Sequence, residues 1–283
     1  MSSLFRGFWV IGYREILRLT GQRARLVASL LTPLLFLALF GAGFNRLVGE
    51  LAPGVDLVTF MFPGIVAMTV IMPSLFAGMS VVWDREFGFL REVLVAPLNR
   101  TGVALGKIGG GAAVATLEGL LVLVLAPFVG VSVGARELIL VFPLLLLLSM
   151  NLSAFGILVG LRLRSQETFQ TVMALLVFPI LFLSGIFFPV EATPTWMTVA
   201  AKLNPVTYGV DSIRQVLLGG APGPGQGPGG PAADPGLQGT EAGVELGVSI
   251  FDHTLGVGQE ALILFVVGAV LVAAASRAFS AVE

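Results

Sequence analysis

LVTFMFPGIVAMTVIMPSLFAGMSVV, residues 57–82, carries no charged side chain, and the segment that follows it, WDREFGFLREVLVAPL at 83–98, carries Asp84, Arg85, Glu86, Arg91 and Glu92. Crossing a hydrocarbon layer of ~30 Å takes ~20 apolar residues in a helix, so the first segment is a membrane span and the second lies beyond the layer. Five more stretches share the character of the first: residues 26–44, 108–133, 138–161, 169–190 and 257–276. The last is the weakest, because Glu260 and Arg277 bracket a shorter core. The runs are continuous rather than alternating, which selects helices over a β-barrel. The expected fold is an all-α membrane protein with six transmembrane helices.

The 16 Lys and Arg residues are sorted by these spans. If the N-terminus is cytoplasmic, the inside segments hold Arg6, Arg14, Arg18, Arg23, Arg25, Arg85, Arg91, Arg100, Lys107, Arg162, Arg164 and Arg277. The outside segments hold only Arg46, Arg136, Lys202 and Arg214. Cytoplasmic excess of Lys and Arg sets orientation, so both termini and the 83–98 segment are expected inside.

Composition narrows the function. The chain is 56% hydrophobic and 12% charged, against about 25% charge in ordinary soluble proteins. A net charge of −1, with no long basic tract, argues against a nucleic-acid partner. The absence of Cys and the single His253 exclude thiolate and histidine-cluster metal sites. GVALGKI at 102–108 has one residue too few between its glycines for a phosphate loop, and Ile follows the Lys. No hydrolytic motif is present, so the chain is not expected to be an enzyme, to bind metal or to hold a cofactor of its own.

The chain divides into residues 1–25 and a transmembrane unit at 26–283. In the first part, Phe5, Phe8, Trp9, Tyr13 and Ile16 recur at helical spacing, with Arg14, Glu15 and Arg18 opposite; only Ile11 spoils the pattern. Such a helix suits the cytoplasmic membrane interface. After the second span, Asp84 has the chemistry of a helix cap, and Trp83, Phe87, Leu90 and Leu94 form one stripe flanked by Arg85, Glu86, Arg91 and Glu92. A short amphipathic helix with both charge signs suits docking of another protein.

Within the spans, Glu118 in the third is either a cavity-facing carboxylate or a carboxyl satisfied inside the bundle. Ser149, Ser153, Gly156 and Gly160 give the fourth span a stripe of small residues for close helix packing. Beyond the fifth span, Thr193–Pro194 and Asn204–Pro205 start two short external helices. In the second of these, Val206, Val210, Ile213 and Leu217 form a stripe, with Asp211 and Arg214 away from it. Residues 219–239 are so rich in Gly and Pro that a flexible linker is expected.

Three segments, FMFPGIVAM at 60–68, WDREFGFLREVLVAPL at 83–98, and SGIFFP at 184–189 through LNPVTYGVDSIR at 203–214, together resemble the type-2 permease family of ABC exporters, in particular its daunorubicin-resistance-like branch. The resemblance covers nearly the whole chain except the Gly/Pro-rich linker. It implies six helices per subunit, an N-terminal interface helix (5–17, with Phe5, Trp9, Tyr13 and Arg14), re-entrant helices before the last span, and a coupling helix at 83–94. The coupling residues would be Asp84, Arg85, Glu86, Phe87, Leu90, Arg91 and Leu94. It further implies a bacterial inner-membrane protein, a second permease copy, and two cytoplasmic subunits that bind ATP and Mg. The path would run between the permease copies along spans one, two and five, with Phe178, Phe182, Phe187 and Phe188 as an aromatic wall and Glu118 beside it. The rival expectation is a proton-driven secondary transporter working through Glu118; such carriers show internal repeats, and none is evident.

Overall fold

The computed structural model describes residues 8–14, 17, 23–43, 57–88, 99–131, 133–187, 190, 193–218, 249–250 and 253–281. Helix α1 covers residues 8–14. It is followed by α2 (Arg23–Gly43), α3 (Leu57–Phe76), α4 (Met79–Glu86), α5 (Arg100–Leu123), α6 (Ala135–Arg162), α7 (Gln166–Phe182), α8 (Thr195–Leu203), α9 (Pro205–Leu218) and α10 (Val257–Ser280). A 3₁₀ turn at Ala126–Val129 precedes α6. Among the described residues, strand pairing is confined to a short ladder that joins Ser249 to Thr254 and Ile250 to His253.

Among the described residues, four helical segments are long and apolar enough to cross a membrane: α3 continued by α4, α5, α6 and α10. The last span, expected to be the weakest, qualifies on length and composition, and Glu260 in its first turn is fully buried. The apolar parts of α2 and α7 are shorter. Helix α6 is the hub. At about 1.5 Å per residue its 28 residues run roughly 42 Å, and it packs against α3, α5, α9 and α10. Helix α2 lies against α3 and α5, and α7 against α3 and α4. Phe62, Ile65, Val66, Ile71 and Leu75 bury α3 in one core with Leu145 and Leu148 of α6 and Phe169 and Met173 of α7.

The stripe of small residues on α6 has the packing role its spacing suggests. Gly156 and Gly160 sit against the backbone at Leu75 and Gly78, where α3 passes into α4. A β-carbon added at Gly78 would fall onto the Gly156 carbonyl, and one at Gly160 would lie 2.5 Å from the Gly78 oxygen. Here α3 tightens into α4 through bonds from the Ala77, Ser80 and Val81 amides to carbonyls three residues back. Ser149 meets the Thr116 hydroxyl of α5 at 2.9 Å, and the Asn151 amide donates to the Leu264 carbonyl of α10 at 3.0 Å.

Several boundaries differ from the sequence reading, among them the end of the third stretch, where the helix stops at Leu123 rather than 133. The third span starts at Arg100 rather than 108, because the Asn99 side chain accepts from the Thr101 amide and caps it there. Lys107, assigned above to a loop, is therefore inside a helix. The fifth helix ends at Phe182 rather than 190, and the chain turns at Gly185 with φ +73.

Candidate functional site

The end of α4 departs from the expected coupling helix. Trp83, Asp84, Arg85 and Glu86 form the last turns of a helix that continues the second span, and Asp84 does not cap a helix start. The physical reason is that better partners hold its carboxylate. Lys107 of α5 pairs with one oxygen at 2.5 Å, and Arg14 at the end of α1 approaches the other at 3.5 Å. Asp84 is 6% exposed and Lys107 3%; the Lys107 ammonium also donates to Ser80 Oγ at 3.1 Å.

The neighbouring residues bind other elements. Arg85 donates through its two terminal nitrogens to the Leu161 and Leu163 carbonyls, each at 3.0 Å, and so satisfies the end of α6, where backbone acceptors lack helical partners. Glu86 accepts from the Gln166 side-chain amide at the start of α7 at 2.7 Å. Three consecutive residues thus tie the end of the second span to α1, α5, α6 and α7. Phe87 follows, 77% exposed, and Gly88 turns the chain with φ +76. Leu90, Arg91 and Leu94 lie outside the described residues.

Helix α1 docks on the same region through a face that the aromatic stripe leaves out. Ile11, the residue that spoils the aromatic pattern, is the one that packs inward, with Val81, Val103, Ala104 and Ile108. Gly106 makes room, since a β-carbon there would lie 2.9 Å from the Phe8 carbonyl. Trp9 and Tyr13 stack at 6.4 Å with most of their surface exposed. Phe5 falls outside the described residues.

The residues expected to line one path separate into two groups. Phe178 and Phe182 stack at 6.4 Å, and Phe182 meets Phe187 at 5.5 Å, on the exposed side of α7 and the turn after it. Phe188 is outside the described residues. Glu118 instead lines a cavity of about 350 Å³ between α2, α3 and α5, with Pro33, Phe36, Met68, Met72 and Phe76 on the walls. Its side chain is buried, at 3% exposure.

A further cluster escaped the sequence reading. Asp211 and Arg214 of α9, assigned to the side away from the apolar stripe, are both buried. Arg214 donates to the Gly185 carbonyl at 2.7 Å, lies 4.4 Å from the Phe60 ring centre and stands 3.9 Å from Asp211. Gln215 bridges Asp211 at 3.0 Å and Glu260 of α10 at 3.2 Å. Burial lowers the Arg214 guanidinium to about 10, with Asp211 and Glu260 opposing the shift, so it is charged at neutral pH. The available signal was three polar groups, Asp211, Arg214 and Gln215, on a helix too apolar to leave the bundle. Spacing alone does not show that a last-span carboxylate meets them.

The second apolar stretch thus runs into a charged turn that grips its neighbours, with an exposed Phe beyond. Residues 6–218 match the model of the ABC-2 type transporter family. A chain of Cyanophora paradoxa named as transport permease ycf38 is 31% identical over 209 residues, 73% of this chain and 72% of that one. Nodulation protein J of Rhizobium leguminosarum bv. trifolii is 29% identical over 198 residues, 69% of this chain and 75% of that one. A protein of Escherichia coli K12 named as multidrug ABC transporter permease YbhR is 30% identical over 169 residues, 59% of this chain and 45% of that one. The first and third of these relatives are named as permeases. With its apolar helices and a match across residues 6–218, this membrane protein belongs to the ABC-2 type transporter family.

Proposed function

We propose that the chain is the membrane subunit of an ATP-driven exporter that moves an apolar or amphipathic substrate (a drug, a lipid or a lipid-linked glycan) outward by alternating access. The six spans are α2, α3 with α4, α5, α6, α7 and α10, in a bacterial inner membrane with both termini cytoplasmic. Helices α8 and α9 are the external re-entrant pair. A second permease copy completes the path, and two cytoplasmic subunits bind ATP and Mg. Phe178, Phe182, Phe187 and Phe188 form the aromatic wall facing the second copy.

One observation carries the reading: the last turn of α4 holds four other elements and ends in an exposed Phe. A push on Phe87, and on Leu90, Arg91 and Leu94 in the segment after it, is passed by Asp84 to α5 and α1, by Arg85 to α6 and by Glu86 to α7. Asp84 and Arg85 serve as internal transmission rather than as contacts with the partner. A large apolar anchor truncated in a partner's pocket typically costs ~2 kcal/mol or more, whereas an exposed charge costs less. Phe87→Ala therefore weakens binding of the ATP-hydrolysing subunit, or uncouples hydrolysis from transport, more than Glu86→Ala does. Pull-down of the partner and ATPase activity in reconstituted vesicles measure this. Wild-type binding and coupling in Phe87→Ala and in a Phe87/Leu90 double alanine would remove the transmission element.

A further inference from the structure

Three backbone acceptors at the C-terminal end of α7 are held by side chains of α9 and of the residue before it. The Ser184 amide bonds the Leu181 carbonyl three residues back, and the Asn204 side-chain amide donates to the Ile180 carbonyl at 3.0 Å. The Thr207 hydroxyl stands between the Leu183 carbonyl at 3.1 Å and the Ala201 carbonyl of α8 at 2.7 Å. Arg214 donates to the Gly185 carbonyl at 2.7 Å, at the turn where φ is +73. A helix end leaves carbonyls without intrahelical donors, and here another helix supplies them. Asn204 serves twice, since its side-chain oxygen accepts from the Val206 amide and so starts α9.

The other side of α9 is held as firmly. The Gln215 amide group lies 3.0 Å from Asp211, 3.0 Å from the Leu255 carbonyl just before α10 and 3.2 Å from Glu260 in the first turn of α10. Val206, Val210 and Ile213 are buried in the main core, and a β-carbon at Gly209 would lie 2.9 Å from Leu148 of α6. Tyr208 donates to the Lys202 carbonyl at 2.7 Å, which ties α8 to the same helix. A polar group shut off from water bears its desolvation cost in full when its partner leaves, so separation of these helices is opposed at each bond.

We infer that α9 is a clamp: it joins the C-terminal end of α7 to the N-terminal end of α10, so that these two ends and α9 move as one body. Asn204, Thr207 and Arg214 are positioning residues for Phe178, Phe182 and Phe187, which stand on α7 and the turn that the clamp holds. In the export reading, on which only this purpose rests, the path opens outward by displacing α7 and α9 together, and the external pair does not lift from α7 like a lid. The clamp is measured on the full chain without substrate or ATP-hydrolysing partner, so its failure and the failure of export are separate results.

Hydrogen–deuterium exchange with mass spectrometry, on the purified chain in nanodiscs, reads such cooperative units directly. Arg214→Met and Thr207→Val should each raise exchange about tenfold at amides 180–187 and within α9, the scale of one lost hydrogen bond. Gln215→Leu is the decisive variant. The bonds it removes run to α10 and within α9, yet exchange should rise at 180–187 as well as at 257–262. Amides 62–75 in α3 should keep their wild-type rates, which a general loss of stability would not allow. If Arg214→Met does not accumulate, Gln215→Leu and Thr207→Val, which trades a hydroxyl for a methyl, decide the matter. A Gln215→Leu effect that stops at α9 and α10, a matching rise at 62–75, or wild-type exchange at 180–187 in Thr207→Val would overturn the proposal.

Discussion

The pair of Asp84 and Lys107 makes the sharpest demand at the scale of single residues. Both side chains are buried, one at the end of α4 and the other inside α5. Removing one partner of a buried pair leaves an uncompensated charge and typically costs ~3–5 kcal/mol, whereas replacing both with apolar groups costs far less. Lys107→Met and Asp84→Leu should each lower thermal stability in detergent sharply, and the double variant should recover much of the loss. Additive losses would show that the two charges do not depend on each other. Neither role was legible in the sequence. Asp84 stands where a cap would stand, and Lys107 stands among glycines beside an apolar run. What decides both is a partner across the bundle, and spacing along one chain carries no such information. Ile11 teaches the same lesson. Its failure to fit the aromatic stripe was the trace of an inward face.

Whole helices were easier to read, because their signals are long. The apolar runs placed α3, α6 and α10, and the serine–glycine stripe on α6 marked a face for close packing before any partner was known. Boundaries were harder. Helix α5 runs through GGG at 109–111, and close neighbours stand against two of these glycines: Phe8 at Gly109 and Ala77 at Gly111. The stripe yields a test. Gly156→Val and Gly78→Val set a side chain against backbone atoms, which cannot turn aside as a side chain can. Both should abolish the monodisperse peak in fluorescence-detected size exclusion. Ser153→Ala, which removes only a hydroxyl with no bonding partner, should leave it intact. A well-folded Gly156→Val would mean that α6 does not lie against the passage from α3 to α4.

For the molecule as a whole, the Arg and Lys count predicts one orientation, and the absence of Cys makes it simple to check. Phe87→Cys, at the exposed end of α4, should resist an impermeant thiol reagent in intact cells and react after lysis. Gly227→Cys, in the Gly/Pro-rich segment, should react in intact cells. The opposite pattern would invert the molecule. The all-helical membrane class was legible because membrane insertion is written in composition, and the family because three segments of the chain resemble it; neither needs knowledge of contacts. The cavity, the Arg214 cluster and the separation of Phe178, Phe182 and Phe187 from Glu118 depend on which helices are neighbours, and hydropathy is silent about that. The backbone-on-backbone crossing of Gly78 with Gly156 and Gly160 bears on speed as well as shape. Surfaces that interlock through side chains must change rotamers in order to slide, and each change adds a barrier. Two bare stretches of main chain have no rotamer to change, so resistance to a rotation about this crossing falls instead on the bonds beside it, from Arg85 to the Leu161 and Leu163 carbonyls.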